Sequence, residues 1–373
     1  MKDPVTSQTP VSIPEEILEK WEARGVSRRD FMKFCTASAA TLALPIGFAP
    51  KIAQAMNDTR LPVIWLEFQS CSGDSEAFLR ANHPTAGDII LDAISLEYAE
   101  VVMAAAGHLA EEAKHQAMEK YKGKYVLIVE GSIPTGENGA YCTVGGVSAE
   151  ESLKLLAGNA FATITVGSCA SFGGIPAAAP NPTGAKSVSD LVPGAAVINL
   201  PGCPVNAENL TATIVHVLTF NRLPATDALG RPKFAYGKRI HDNCERRGHF
   251  DAGQYAEAFG DPGHRQGYCL YKLGCKGPET FHNCPTVRYN EGTSWPIMAG
   301  HGCIGCSEPG FWDTMSPFYR RLPNVPGFGV EDTADKIGLG LAAATGAAFA
   351  AHGVASALRK GDAMESDKVK KEE

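Results

Sequence analysis

The chain has 373 residues, 44% of them hydrophobic, enough to bury one large core or two smaller ones. A formal charge of -7 argues against nucleic acid as a partner, and eleven cysteines are too few for a disulfide-built scaffold of this length. The cysteines are nonetheless the most informative feature of the chain. Beyond residue 70 they form three spaced groups: Cys71, Cys169 and Cys203; His241-x2-Cys244 with Cys269 and Cys275; and Cys284 with Cys303-x2-Cys306. Only Cys142 fits none of them. Soft thiolates at such spacings, joined by one histidine, are what iron–sulfur clusters need, and three clusters in one chain make a path for electrons. A few disulfides in an exported protein would be the plainer reading, but the CxxC pair, the HxxC and the glycine-flanked cysteines read as ligand loops.

Taken in chain order, residues 1–55 read as a targeting segment rather than structure. Ser27-Arg28-Arg29-Asp30-Phe31-Met32-Lys33 places twin arginines before the weakly apolar Phe34 to Pro50, as in a twin-arginine export signal. Ala53-Gln54-Ala55 offers an A-x-A cleavage site, so the mature chain is expected to begin at Met56 and to lack Cys35. That export route carries folded proteins, which suits a chain whose clusters are inserted before export.

From residue 56 to 230 short apolar runs alternate with helix-like stretches. Val63–Phe68, Tyr125–Val129, Ala162–Val166 and Ala196–Leu200 read as buried strands, while Asp88–His108 and Ala149–Leu156 read as helices. The alternation predicts an α/β domain with a parallel sheet. Ligands in such folds bind at the carboxyl ends of strands. The strands run into Cys71, Glu130, Cys169 and Cys203, so the first cysteine group is expected along one edge of the sheet.

Residues 231–324 are rich in glycine and proline and lack strong strand patterns, so bound metal would have to supply much of their folding energy. Residues 325–373 read as a linker, a helix at about 337–358 and a mixed-charge tail. Ile337 to Leu358 carries no Asp, Glu, Lys or Arg and is long enough to cross a bilayer. Arg359, Lys360, Lys368, Lys370 and Lys371 follow it, on the cytoplasmic side if the body is exported. A buried alanine-rich soluble helix is the alternative. His352, inside this stretch, either packs against a membrane partner or approaches a haem in it.

In this order the residues resemble the small subunit of the membrane-bound [NiFe] uptake hydrogenases. The resemblance rests on Gly202-Cys203-Pro204, His241-Asp242-x-Cys244-Glu245-Arg246-Arg247, His249-Phe250-Asp251-Ala252-Gly253, Gly267-Tyr268-Cys269-Leu270-Tyr271, Gly274-Cys275-Lys276-Gly277-Pro278 and Gly302-Cys303-Ile304-Gly305-Cys306. It spans essentially the whole chain, from export signal to C-terminal anchor. It implies a flavodoxin-like parallel-sheet domain, an irregular iron–sulfur domain and a C-terminal membrane helix. It also implies an electron relay of three clusters, with the Ni–Fe centre in a separate large subunit and a cytochrome b as the membrane acceptor. No residue of this chain is expected to break or form the H–H bond.

By resemblance, the proximal [4Fe–4S] ligands map to Cys71, Cys169, Cys203 and the residue three after Cys71. That residue is Asp74, where the family has cysteine, so one iron would take a carboxylate; a water, another group or Cys142 are the alternatives. Glu130 adjoins the proximal cluster in relatives, with a surface or N-cap role as the other reading. Oxygen-tolerant relatives carry extra cysteines at the positions of Gly73 and Gly174, and this chain does not. His241, Cys244, Cys269 and Cys275 resemble the distal [4Fe–4S] site, with a zinc site as rival chemistry. Cys284, Cys303 and Cys306 suit a medial [3Fe–4S] cluster, Pro296 standing where a fourth cysteine could otherwise serve. The rival function is a membrane-anchored iron–sulfur subunit of an unrelated dehydrogenase. Quinone-reducing complexes carry a subunit that resembles only the first domain and lacks the second and third cysteine groups.

Overall fold

The computed structural model describes residues 13–58, 60–81, 85–322 and 330–372. The chain divides into two compact units, residues 1–321 and 322–373. The centre of the first is a parallel sheet of β1 (Leu61–Glu67), β2 (Ile94–Ala99), β3 (Val126–Glu130), β4 (Ala162–Val166) and β5 (Val197–Leu200), in the order β2-β1-β3-β4-β5. Every neighbouring pair is parallel. This is the flavodoxin-like order, in which the strand sequence reverses between β1 and β3.

The period of two along a strand sorts the side chains onto two faces. Val63, Trp65, Val126, Ile128, Ile164 and Ile198 join one apolar cluster. Ile64, Leu66, Leu127 and Val129 join the other, with Tyr98, Leu153 and Leu156. Because both faces are covered, the strands read as continuous apolar runs, which is why they were legible without alternation.

Two readings of the sequence change. Asp88–His108 is not one helix: after a capped turn at Thr85–Asp88 the chain extends into β2, and a helix follows only at His108–Lys120. β2 is the edge strand and pairs with β1 alone. Three of its six residues are half-buried, which leaves its apolar pattern weak.

The second change lies in the leader, which has regular structure: α1 (Glu15–Glu22), α2 (Arg28–Thr41) and α3 (Ala49–Asp58). Ser27 caps α2 by accepting the Asp30 N–H at 3.2 Å, and Arg28 pairs with Glu15 and Glu22. Trp21 stacks on Phe31 with ring centroids 4.6 Å apart. Phe31, Cys35, Ile52 and Ala53 are fully buried within the same apolar cluster as the sheet's first face. The expected A-x-A site therefore lies inside α3 with Ala53 enclosed, so cleavage before Met56 requires that helix to open. An apolar leader stretch still carries a face able to pack, and periodicity alone does not separate a signal from a core helix.

Among the described residues no strand follows β5; residues 231–321 are built of short helical turns and isolated bridges. Their small core sets Ile240, Leu270, Trp295 and Ile297 around Cys275, Cys284 and Cys303.

In the second unit, Val330–Glu372 forms one helix, α4. Its Gly338–Arg359 portion has mean hydropathy 1.4 and no buried residue, and is long and apolar enough to cross a membrane. His352 is exposed on it. The linker expected at 325–329 lies outside the described residues.

Candidate metal centres

The carboxyl edge of the sheet gathers the first cysteine group as expected. Cys71 follows β1; Cys169 lies on the helix Gly167–Phe172 that continues β4; Cys203 follows β5 in a loop whose Cys203–Pro204 bond is cis. Asp74 sits in the first turn of the helix Gly73–Leu79, 8% exposed, and its Oδ1 accepts the Val205 N–H at 2.6 Å. A Cβ on Gly167, at φ +80°, would lie 2.0 Å from Asp74 Oδ2, so only glycine lets the carboxylate approach this loop. Burial pushes the Asp74 carboxyl up to about 7 against the Val205 N–H, with Glu130 and Glu67 adding to the rise.

Glu130 is fully buried and spends its carboxylate on the start of that helix. It accepts the N–H groups of Asp74 and Ser75 at 3.0 Å each and the Ser75 hydroxyl. These bonds describe a capping role, and Glu130 also stands close enough to Cys169 to help raise its thiol, which leaves its place beside the first cysteine group open.

The thiols respond to one another. Burial lifts Cys169 to about 11 and Cys203 to about 12; Asp74 and Cys71 raise the first further, and Cys306, Cys169, Asp74 and Cys71 the second. Such a set favours the anionic form only beside a cationic centre, which is the chemistry a cluster supplies. A Cβ at Gly73 would stand 3.0 Å from Cys71 Sγ, and one at Gly174 2.7 Å from Cys169 Sγ. Both glycines thus abut the first thiol group. Cys142 stands elsewhere: it packs on the second apolar face, where the charge next to it is Glu100.

The third group rings a cavity of about 460 Å³ that reaches Cys284, Cys303 and Cys306, with Pro296 in its wall and Cys203 at its margin. The Gly305 N–H points at Cys303 Sγ at 3.3 Å. Cys284 and Cys303 are driven strongly up by burial.

The second group lines a separate pocket. His241 lies on the turn Ile240–Asn243 and meets the edge of Phe250, centroids 4.6 Å apart. Burial, helped by Arg247, lowers it to about 4, so the imidazole is neutral as a ligand must be. The Arg246 and Gly277 N–H groups each lie 3.4 Å from a sulfur, Cys244 and Cys275 respectively.

All eleven cysteines are free, which removes the disulfide reading. Among the described residues no three His, Cys, Asp or Glu side chains converge closely enough for a single ion.

Reading the sequence for ligands missed the groups that hold the loops together. Ser168 donates its hydroxyl to the Cys306 carbonyl, and Asn209 and Asn283 exchange amide bonds of 2.9 and 2.8 Å.

Fold and sites together define an iron–sulfur electron carrier on a flavodoxin-like frame. Comparison with known proteins agrees. The family of C-terminal regions of the NiFe/NiFeSe hydrogenase small subunit matches residues 236–319. One described as "NADH ubiquinone oxidoreductase, 20 Kd subunit" matches residues 71–217. The chain is 50% identical over 347 residues to the uptake hydrogenase small subunit of Azotobacter vinelandii, covering 93% of this chain and 97% of that one. It is 52% identical over 348 residues to the quinone-reactive Ni/Fe-hydrogenase small chain of Wolinella succinogenes, covering 91% and 98%. Among solved structures, the [NiFeSe] hydrogenase of Desulfomicrobium baculatum superposes with a TM-score of 0.67 at 40% identity, covering 71% of this chain and all of that one.

The chain belongs to the [NiFe] hydrogenase small subunits. It is the electron-transfer subunit of a heteromeric hydrogenase, carrying iron–sulfur clusters beside a large subunit that holds the Ni–Fe site. The match over residues 236–319 also disposes of the rival dehydrogenase reading, since that is the segment a one-domain quinone-reductase subunit lacks.

Proposed function

We propose that this chain relays electrons from H2 oxidation through three clusters, each held by one of its cysteine groups. Cys71, Asp74, Cys169 and Cys203 would hold a proximal [4Fe–4S] cluster on the flavodoxin-like segment 56–230. Cys284, Cys303 and Cys306 would hold a medial [3Fe–4S] cluster, and His241, Cys244, Cys269 and Cys275 a distal [4Fe–4S] cluster, both on segment 231–324. Bound clusters supply one-electron oxidation and reduction; the chain's residues set where those centres stand and how they are insulated.

The observation that carries the relay is the closeness of two ligand groups: Cys203 lines the same cavity as Cys284, Cys303 and Cys306, and the Ser168 hydroxyl, next to Cys169, donates to the Cys306 carbonyl. The first and third cysteine groups thus border one cavity. Asp74 fits the fourth proximal position because Val205 anchors one oxygen, leaving Oδ2 against Gly167 on the same loop as Cys169. A carboxylate is harder and less electron-donating than thiolate, so it would give this cluster a different potential from that of an all-cysteine site. Glycine at 73 and 174 excludes the six-cysteine arrangement. Export by the twin-arginine route and anchoring through α4 would place the body on the periplasmic face of the inner membrane. A cytochrome b feeding the quinone pool would be the acceptor, a reading supported by the quinone-reactive name of the Wolinella relative.

The test is hydrogen-dependent dye reduction by the complex that co-purifies with this chain from native membranes, with nickel and iron determined on the same sample. Activity with stoichiometric nickel is expected; a cluster-loaded complex without either overturns the proposal. Asp74→Cys then tests the ligand. The extra thiolate should lower the proximal midpoint potential, while the orphaned Val205 N–H costs about 1–3 kcal/mol of stability. An unmoved potential would remove Asp74 from the ligand set.

A further inference from the structure

The leader carries two signals, the twin-arginine segment 27–33 and the A-x-A site 53–55, and one packing arrangement encloses both. Phe31, the aromatic of the first, is fully buried and stacked on Trp21, and Arg28 is held by Glu15 and Glu22 of α1. Ala53, of the second, is fully buried within α3. The enclosure comes from the body of the protein. α2 and α3 pack on each other and on the helix Ala207–Phe220, and α3 also meets the helical turn Ile89–Ala93. The Phe48 and Phe220 rings lie with centroids 6.0 Å apart, and Lys51 Nζ stands 5.0 Å from the centre of the Phe220 ring. Lys20 Nζ donates to Asn57 Oδ1 at 2.6 Å, which closes α1 onto the far end of α3.

A receptor that reads the twin-arginine segment needs Arg28 and Phe31 exposed, and a peptidase acting after Ala55 needs α3 unwound. Neither condition holds while the leader is docked. Because both signals lie on one packed unit, a single undocking frees both. Docked and undocked leader are two states in equilibrium, and the population of the open one scales the rate of any step that only the open one can take.

We propose that the leader is an autoinhibitory strap: docked on the helix Ala207–Phe220, it withholds both signals, and its undocking sets how fast the chain is exported and processed. The inference rests on the twin-arginine reading given above and is independent of the cluster assignments. It makes the seat on the body, Phe220 above all, a determinant of export although that residue lies far outside the leader sequence.

The experiment follows the full-length chain, made with its large subunit in the native host, by pulse-chase conversion of precursor to mature form. Cys35, fully buried in α2, reports docking directly: its maleimide labelling in the precursor is read by mass spectrometry of the leader peptide. Phe220→Asp removes the seat from the body side, and Trp21→Ala removes the stack on Phe31; both leave residues 27–33 and 53–55 unchanged. Each is expected to speed both Cys35 labelling and precursor conversion by roughly two- to tenfold, the worth of one aromatic contact. Hydrogen-dependent dye reduction at the parent level shows that the body of each variant is folded. Should Phe220→Asp fail that check, Trp21→Ala, which lies in the leader, decides. Rapid labelling of Cys35 in the unaltered precursor, or variants in which labelling and conversion do not both rise, overturns the inference. Arg28→Lys with Arg29→Lys separates it from the reading beneath: conversion at the parent rate overturns the export reading and the strap together. Arrested conversion there, with unmoved rates in the other two variants, overturns the strap alone.

Discussion

Arg231→Met tests how the loop-rich segment is fastened to the rest of its unit. The guanidinium is 5% exposed, with Nε 2.8 Å from Asp227 and Nη1 2.9 Å from Glu308. Nη1 also donates to the Ser307 carbonyl at 3.1 Å, next to Cys306. Methionine fills much of the same space but leaves Glu308, 12% exposed, without its cation. Breaking a buried pair from one side costs about 3–5 kcal/mol. Asp227 is 23% exposed and rehydrates, and Glu308 keeps the Phe281 N–H at 2.6 Å, so the low end is expected, about 3 kcal/mol. The pH dependence has a definite sign. Burial already raises the Glu308 carboxyl, opposed by the Phe281 N–H and by Arg231, and removing Arg231 raises it further. A carboxyl whose folded pKa lies above its unfolded value favours folding less and less as pH climbs from the unfolded to the folded pKa. The variant's deficit should therefore be larger at about pH 8 than at about pH 5. Denaturant midpoints of the purified complex, read by cluster absorption, give the comparison. Arg231→Met with Glu308→Gln should regain most of the loss, because no charge is left buried. A single variant within about 0.5 kcal/mol of the parent, or a double variant no better than the single, refutes the reasoning.

Two further outcomes follow from the geometry. Gly167→Ala puts a Cβ where Asp74 Oδ2 now lies, at a φ of +80°. About 1–2 kcal/mol of backbone strain adds to the clash, so the proximal cluster should be lost while iron analysis and EPR still find the other two. Removing residues 322–373 deletes the unit that contains α4 and should release the complex from membranes with hydrogen-dependent dye reduction intact. Retention in the membrane fraction after a high-salt wash would show that something other than this helix anchors it.

Much of the site was legible because its chemistry resides in residue type. Thiols at the ends of predicted strands could converge only on the sheet's carboxyl edge, and Ala162–Val166 occurs with the bounds expected of it. The misread strand and the unforeseen packing of the leader have a common cause. β2 is an edge strand with a mixed pattern, and the leader's apolar residues look alike whether they will be buried or exported. The fastenings were invisible for another reason: Arg231–Glu308 and Asn209–Asn283 join residues 77 and 74 positions apart, and no local pattern announces either pair.

Those fastenings bear directly on the relay. Asn206 caps the helix Ala207–Phe220 that follows the Cys203 loop, and its amide also donates to the Arg288 carbonyl beyond Cys284. Asn209, one turn further on, exchanges two amide bonds with Asn283, the residue before Cys284. Ser168, next to Cys169, accepts the Gly202 N–H at 3.0 Å while donating to the Cys306 carbonyl. Each contact runs from the segment around a first-group cysteine to the segment around a third-group cysteine. Electron transfer through protein falls steeply with separation, so a segment this poor in regular structure could not hold a fixed spacing by its own apolar core. The spacing is instead set by side-chain amides and a hydroxyl that the rigid sheet edge presents, which is the division of labour expected when a precise site rests on loops.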